Sequence, residues 1–297
     1  MIEKDFTQRF IFENADIRGE FTSLEQSYQH VLAKHPYPRA VAILLGELLA
    51  AAALLVETIK FDGLLILQAR SSGAIPLLMV ECSSEREVRA IARYEAQAIK
   101  DQASLNELMP EGVLALTVDP KEGQRYQGLV TLDGDTLAQC FTNYFATSEQ
   151  LASQFWLQAD GNRARGFMLQ QLPVERIQDT QEREHHWEYV KTLADTLTAE
   201  ELQALDLATL LHRLYHEEDV RVFEPSVLAF KCSCSKQRSA QALVSLGKED
   251  VISLLKEKSG TIEIDCQFCN EKYLFIEQDI EQLFSVDEAL TDQTTVH

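Results

Sequence analysis

The chain has 297 residues, with 27 basic against 47 acidic side chains and a formal net charge of −20. Hydrophobic residues make up 45% and charged residues 25%, an ordinary globular balance that excludes a disordered tail protein. The acid excess argues against a chain built to coat nucleic acid or an anionic membrane, because either partner needs a basic face. At about 150 residues per domain, the length suits two domains.

The opening Met1-Ile2-Glu3-Lys4-Asp5-Phe6 has no basic segment followed by an apolar run. No secretory signal is expected, and the cytoplasm is the expected compartment. Phe21 to Leu32 has helical spacing, and the Pro36-Tyr37-Pro38 break precedes a long apolar helix predicted from about Arg39 to Ile59. Its core, Ala40 to Val56, contains Gly46 and Glu47. It is slightly short for a membrane span, and a central carboxylate costs about 2.5–3.5 kcal/mol there, so a buried core helix is expected. Strand-like runs follow at Leu64–Leu67, Leu77–Val80 and Val113–Val118, with Tyr126 to Leu132 as a hairpin partner for the last. A helix is predicted over Thr136 to Gln158, and a strand over Gly166 to Leu172.

From Gln181 to Val220 the composition turns acidic, with ten acidic and three basic residues. Thr198-Ala199-Glu200-Glu201 is a capping-box pattern, in which hydroxyl and carboxylate each satisfy an orphan amide. Leu202, Leu205, Leu210, Leu211 and Leu214 give the segment an apolar stripe but no core of its own. It must lean on something else, and such elements sit at the low-stability end of a protein. Farther on, Ala240 to Lys258 reads as a helix, Thr261 to Asp265 and Tyr273 to Ile276 as a small hairpin, and the chain after Ser285 as a frayed polar tail. The expected class is α+β: a mixed α/β core domain over residues 1–178, an acidic helical connector over 179–230, and a zinc-binding domain with its tail over 231–297.

Four of the six cysteines lie in that last region. Cys232 and Cys234 form a Cys-x-Cys pair, Cys266 and Cys269 a Cys-x-x-Cys pair, and 31 residues separate the two. In a reducing compartment two such pairs read as a zinc site, one ion per chain. Four thiolates close a tetrahedral site structurally and leave no open position for water, which disfavours catalytic hydrolysis. The single residue between Cys232 and Cys234 is fewer than structural zinc pairs usually have. If the four were oxidised instead, three connectivities would be open. Cys82 and Cys140 stand in apolar surroundings and read as small buried hydrophobes. His212 and His216 are four apart on a predicted helix, but no glutamate follows His212 to complete a metalloprotease pattern. They read as packing or surface residues, as do His185 and His186 beside Trp187. No phosphate loop or nucleophile elbow is present, and no enzyme is expected.

The block Leu214-Tyr215-His216-Glu217-Glu218-Asp219-Val220-Arg221, followed by Phe223-Glu224-Pro225 and Cys232-Ser233-Cys234-Ser235, resembles the redox-regulated 33-kilodalton heat-shock protein family of bacterial chaperones. Cys266-Gln267-Phe268-Cys269-Asn270 matches that family's second cysteine motif. Upstream, Tyr28-Gln29, Leu44-Leu45-Gly46-Glu47-Leu48-Leu49-Ala50, Gly123-Gln124-Arg125-Tyr126-Gln127-Gly128 and Ser148-Glu149-Gln150 follow in family order, so the resemblance covers nearly the whole chain. One departure is Ala90, where the family pattern has glycine.

The resemblance implies an ATP-independent holdase, inactive while reduced and zinc-bound and active when oxidised. By that likeness Cys232, Cys234, Cys266 and Cys269 are the zinc ligands, and oxidation joins Cys232 to Cys234 and Cys266 to Cys269. The connector would unfold, unfolding client proteins would be held against aggregation, and the active form would be a homodimer. The near pairing has a physical consequence. Two short disulfide loops remove little denatured-chain entropy and no longer tie the halves of the domain together, so oxidation would unfold it. Two other classes compete. A zinc-ribbon module for nucleic acid would need a basic stripe, but residues 231–275 hold seven basic and six acidic side chains, about −1 once four thiolates and a divalent cation are added. A thiol-disulfide oxidoreductase would need a βαβ setting around an activated thiol, which Cys266 lacks.

Overall fold

The computed structural model describes residues 4–100 and 103–291, with side chains described up to Phe284. The predicted frayed tail after Ser285 is instead helical backbone as far as Thr291, and its last six residues lie outside the described residues. Two compact units divide the chain, one ending at Lys231 and the other beginning at Cys232.

Two sheets build the first unit. The first contains β1 (Phe6–Phe12), β2 (Ile17–Leu24), β8 (Ser153–Ala159), β9 (Ala164–Gln171) and β10 (Val220–Val222), in the order β10-β1-β2-β9-β8. The short β11 (Ser226–Val227) also pairs with β1. The second sheet runs β12-β5-β4-β3-β6-β7, from β3 (Gly63–Arg70), β4 (Leu77–Ser83), β5 (Glu87–Arg93), β6 (Val113–Pro120), β7 (Tyr126–Thr131) and β12 (Ala229–Phe230). Between them lies α2 (Arg39–Val56), against β8 and β9 on one side and β4 on the other. That position explains a helix apolar all round, since both faces meet a sheet. Its mean hydropathy of 2.1 would suit a membrane, but most of it is buried inside the protein. Tyr28 on α1 (Gln26–Leu32) locks it by donating to Ala42 O at 2.6 Å. The short α3 (Leu105–Leu108) and α4 (Leu137–Thr147) complete the core.

The acidic connector lies on the opposite face of the first sheet. Its helices are α5 (Thr180–Ala194), α6 (Ala199–Ala204) and α7 (Leu207–Tyr215). Alternation along the strands turns Phe10, Phe12, Phe21, Phe167 and Leu169 toward them, and Trp187, Val190, Leu202, Leu210, Leu211, Leu214 and Tyr215 close a second core. Gly19 makes room for this layer: a Cβ there would fall 2.0 Å from the Phe10 ring, which stacks on Phe167 at 5.4 Å. Both halves of the capping box at Thr198 and Glu201 form.

Three readings of the elements change. Phe21 to Leu32 is not one helix, because Phe21–Leu24 completes β2 before α1 starts. Thr136 to Gln158 splits: α4 stops at Thr147, Gln150 takes a left-handed φ of 54°, and β8 follows. Ala240 to Lys258 is broken at Gly247 (φ 92°) into α8 (Lys236–Leu246) and α9 (Lys248–Glu257). Ala90, the departure from the family pattern, is fully buried in a regular β5 opposite Val80.

The second unit is small. Beside α8 and α9 it has the hairpin of β13 (Thr261–Asp265) and β14 (Lys272–Ile276), then α10 (Glu277–Thr291). Among the described residues its core is seven buried side chains: Leu243, Val251, Leu255, Ile262, Phe275, Ile280 and Phe284.

Candidate metal centre

Two turns of the second unit present the four cysteines. Cys232-Ser233-Cys234 leads into α8, whose first turn is capped by Ser235 accepting from Arg238 N–H at 3.2 Å. Arg238 reaches back to donate to Ser233 O at 2.8 Å and fixes the turn between the two sulfurs. The second pair sits at the tip of the β13–β14 hairpin. There Cys266 N–H donates to Glu271 O and Asn270 N–H to Cys266 O, both at 2.8 Å. Asn270 takes the left-handed conformation (φ 59°), which asparagine tolerates better than most residues.

These turns bring all four Sγ atoms within 4.8 Å of one another. Cys232 lies 3.6 Å from Cys266, and Cys234 lies 3.4 Å from Cys269. A tetrahedral site with metal–sulfur bonds of about 2.3 Å needs sulfurs roughly 3.8 Å apart, so the donor set has the spacing and softness of a thiolate metal site. Burial pushes the Cys266 and Cys269 thiols above their ordinary range. A bound divalent cation reverses that tendency by favouring the thiolate. Tyr273 donates its hydroxyl to Cys234 Sγ at 3.1 Å, an outer-shell contact that the sequence did not reveal. The hairpin register brings it there, three residues past the tip on the strand that follows Cys269.

Cys82 and Cys140 are both buried and free, and burial raises both thiols, as inert core cysteines require. His212 and His216 stack edge to face with ring centres 6.0 Å apart. Among the described residues the four cysteines form the one cluster able to hold a metal.

The family model described as Hsp33 protein matches residues 5–276. The 33 kDa chaperonin of Pseudomonas paraeruginosa is 65% identical over 285 residues, 96% of each chain. The protein of the same name from Pseudomonas aeruginosa is 64% identical over the same length and coverage. A third, from Pseudomonas fluorescens, is 62% identical over 295 residues, 99% of this chain and 98% of its own. A crystal structure of the 33 kDa chaperonin (heat shock protein 33 homolog) from Thermotoga maritima superposes with a TM-score of 0.79. It covers 95% of this chain and 99% of its own at 23% identity, and that likeness speaks to the fold.

Proposed function

The chain belongs to the Hsp33 family of molecular chaperones, and from that premise we propose that it is a redox-regulated, ATP-independent holdase of the cytoplasm. Cys232, Cys234, Cys266 and Cys269 would hold one zinc ion, which when bound offsets half of the thiolate charge and ties the two turns together. The observation that carries the reading is the convergence of four sulfurs from two turns of a unit whose described core is seven side chains. A unit so small draws much of its stability from such a tie.

In the proposed switch, Cys232 pairs with Cys234 and Cys266 with Cys269. Each pair of thiolates gives up two electrons as its disulfide forms, one hydrogen peroxide per pair takes them with two protons from solvent to become two waters, and the zinc would leave as a dication. The donor set is then gone, and neither new bond spans the two turns. Residues 179–230 would be the connector that responds, and their layer over Phe10, Phe21 and Phe167 is apolar surface that release would uncover. Unfolding proteins bind such patches, and the active form is taken to be a homodimer.

Cys266→Ser tests this reading. It removes one of four donors, so the variant should bind zinc weakly and suppress aggregation of a heat-denatured test protein partly even without oxidant. A variant that keeps full zinc and stays inactive when reduced contradicts the switch.

A further inference from the structure

Two of the upstream stretches that follow in family order, residues 123–128 and 148–150, have no part in the switch. The fold brings them together. Tyr126 on β7 and Tyr144 on α4 each donate a hydroxyl to Glu149 Oε1 at 2.5 Å. Gly128 makes this possible, because a Cβ there would fall 1.8 Å from the Tyr144 hydroxyl oxygen. After Glu149 the chain turns through the left-handed Gln150, and Leu151 N–H donates to Phe145 O at 2.9 Å. The carboxylate is thus held in place by four neighbouring features of the backbone and side chains, and no cation pairs with it.

Glu149 and both tyrosines line a cavity of about 340 Å³ whose wall takes residues from both sheets and from the chain just past α2. Its inner surface is apolar, with Leu116 and Phe145 buried, while Tyr126 and Leu151 are exposed and mark the mouth. Arg18 on β2 stands in the same wall and is half-buried. Its guanidinium donates to Gln170 Oε1 at 2.5 Å and to Thr58 O at 3.3 Å, both neutral acceptors. Glu20, two residues farther along β2, does not answer it, since neither of its carboxyl oxygens has a hydrogen-bond partner. One cavity therefore holds a cation and a carboxylate, each without an ion-pair partner among the described residues.

We propose that this cavity binds a small zwitterion with an apolar body, a free apolar amino acid or dipeptide, with its carboxylate on Arg18 and its ammonium on Glu149. The volume and the make-up, an apolar wall with a few polar groups, are those of a small-molecule site. A ligand with one charge leaves the other wall charge unanswered. A simple anion would also meet Glu149 and the net charge of −20, and a simple cation would meet Arg18. A zwitterion answers both and adds no net charge. The interior of a polypeptide carries neither terminal charge, so the site is not one for the body of a client chain. Occupancy joins walls drawn from both sheets and stabilises the first unit by linkage.

The test titrates the reduced full chain with leucine and with leucyl-leucine, and follows heat and amide resonances together. Saturable binding of one or both is expected, the tighter of the two giving the span between the charges, with shifts at Gly128 and Leu151. Two controls each lack one charge of leucine: 4-methylpentanoate has no ammonium and 3-methylbutylamine has no carboxylate. Each should bind about tenfold more weakly than leucine. Glu149→Gln, which can still accept from the tyrosines, should erase the preference over 4-methylpentanoate alone, and Arg18→Gln the preference over 3-methylbutylamine alone. If Arg18→Gln does not fold, the two controls on the parent chain still decide. Controls that bind as tightly as the zwitterions, or no saturation by either zwitterion at millimolar concentration, would overturn the proposal. So would binding that leaves Gly128 and Leu151 unmoved, since the ligand then sits elsewhere.

Discussion

Two buried carboxyl groups of the first sheet are shifted in opposite directions. Glu20 is fully buried on β2, on the face opposite Phe21, and neither carboxyl oxygen has a hydrogen-bond partner. Burial, reinforced by Glu57, pushes it up to about 8. The folded chain therefore binds this proton more tightly than the unfolded chain, whose glutamates titrate near 4.5. The contribution is whole below about pH 4.5 and is lost as pH rises through 8, up to a few kcal/mol. Thermal unfolding of the reduced protein should show Glu20→Gln close to the parent at pH 4 and increasingly more stable than the parent as pH rises to 9. Equal stability at both values would mean that Glu20 does not titrate in that range. Asp16 is the reverse case. Burial alone would raise it, but amides of Arg176, Glu175 and Ile177 donate to it at 2.9–3.2 Å and hold it below its ordinary value. Its contribution persists at neutral pH and disappears as pH falls through the carboxylate range. Asp16→Ala should loosen residues 175–177, just before the connector, by about 1–3 kcal/mol, read as faster amide exchange there.

At the scale of elements, two arginines hold the middle of the connector. Arg165 on β9 donates through Nη1 to Leu202 O at 3.0 Å and to Leu205 O, and Arg163 donates to Gln203 O at 3.3 Å. These are the carbonyls that the end of α6 leaves without helical partners, and a cation at a helix C-terminus also suits its dipole. Arg165→Ala should cost the connector about 1–3 kcal/mol and make residues 181–220 more sensitive to proteolysis while the protein is still reduced. Unchanged cleavage would place the connector's stability in its apolar layer alone. The apolar run of α2 and the capping box of α6 were legible because each is a local pattern. The β8 strand was not, because the amphipathic helix before it and the alternating Gln154, Trp156 and Gln158 merge into one polar–apolar run without a glycine or proline between. Nor could the strand β1 be singled out, since its alternation of phenylalanines gains meaning from the connector helices that cover them.

For the whole molecule, the spacing of the two cysteine pairs singled out four sulfurs, and the hairpin and the α8 turn bring those sulfurs within 4.8 Å of one another. What spacing could not supply is the outer shell, Tyr273 on Cys234 and Arg238 on Ser233, which depends on register and on a helix cap. The two units differ in how they are held. The first has two apolar layers on the faces of one sheet, whereas the second has a minor core and a sulfur cluster. Chemistry at the sulfurs should therefore unfold the second unit and spare the central helix. The direct measurement counts zinc and free thiols before and after peroxide at elevated temperature, with aggregation of a heat-denatured test protein followed in the same samples. One zinc per chain released as four thiols disappear, together with new suppression of aggregation, is the expected result. Zinc that stays bound, or leaves with no gain in holding activity, would make the cluster a structural tie only.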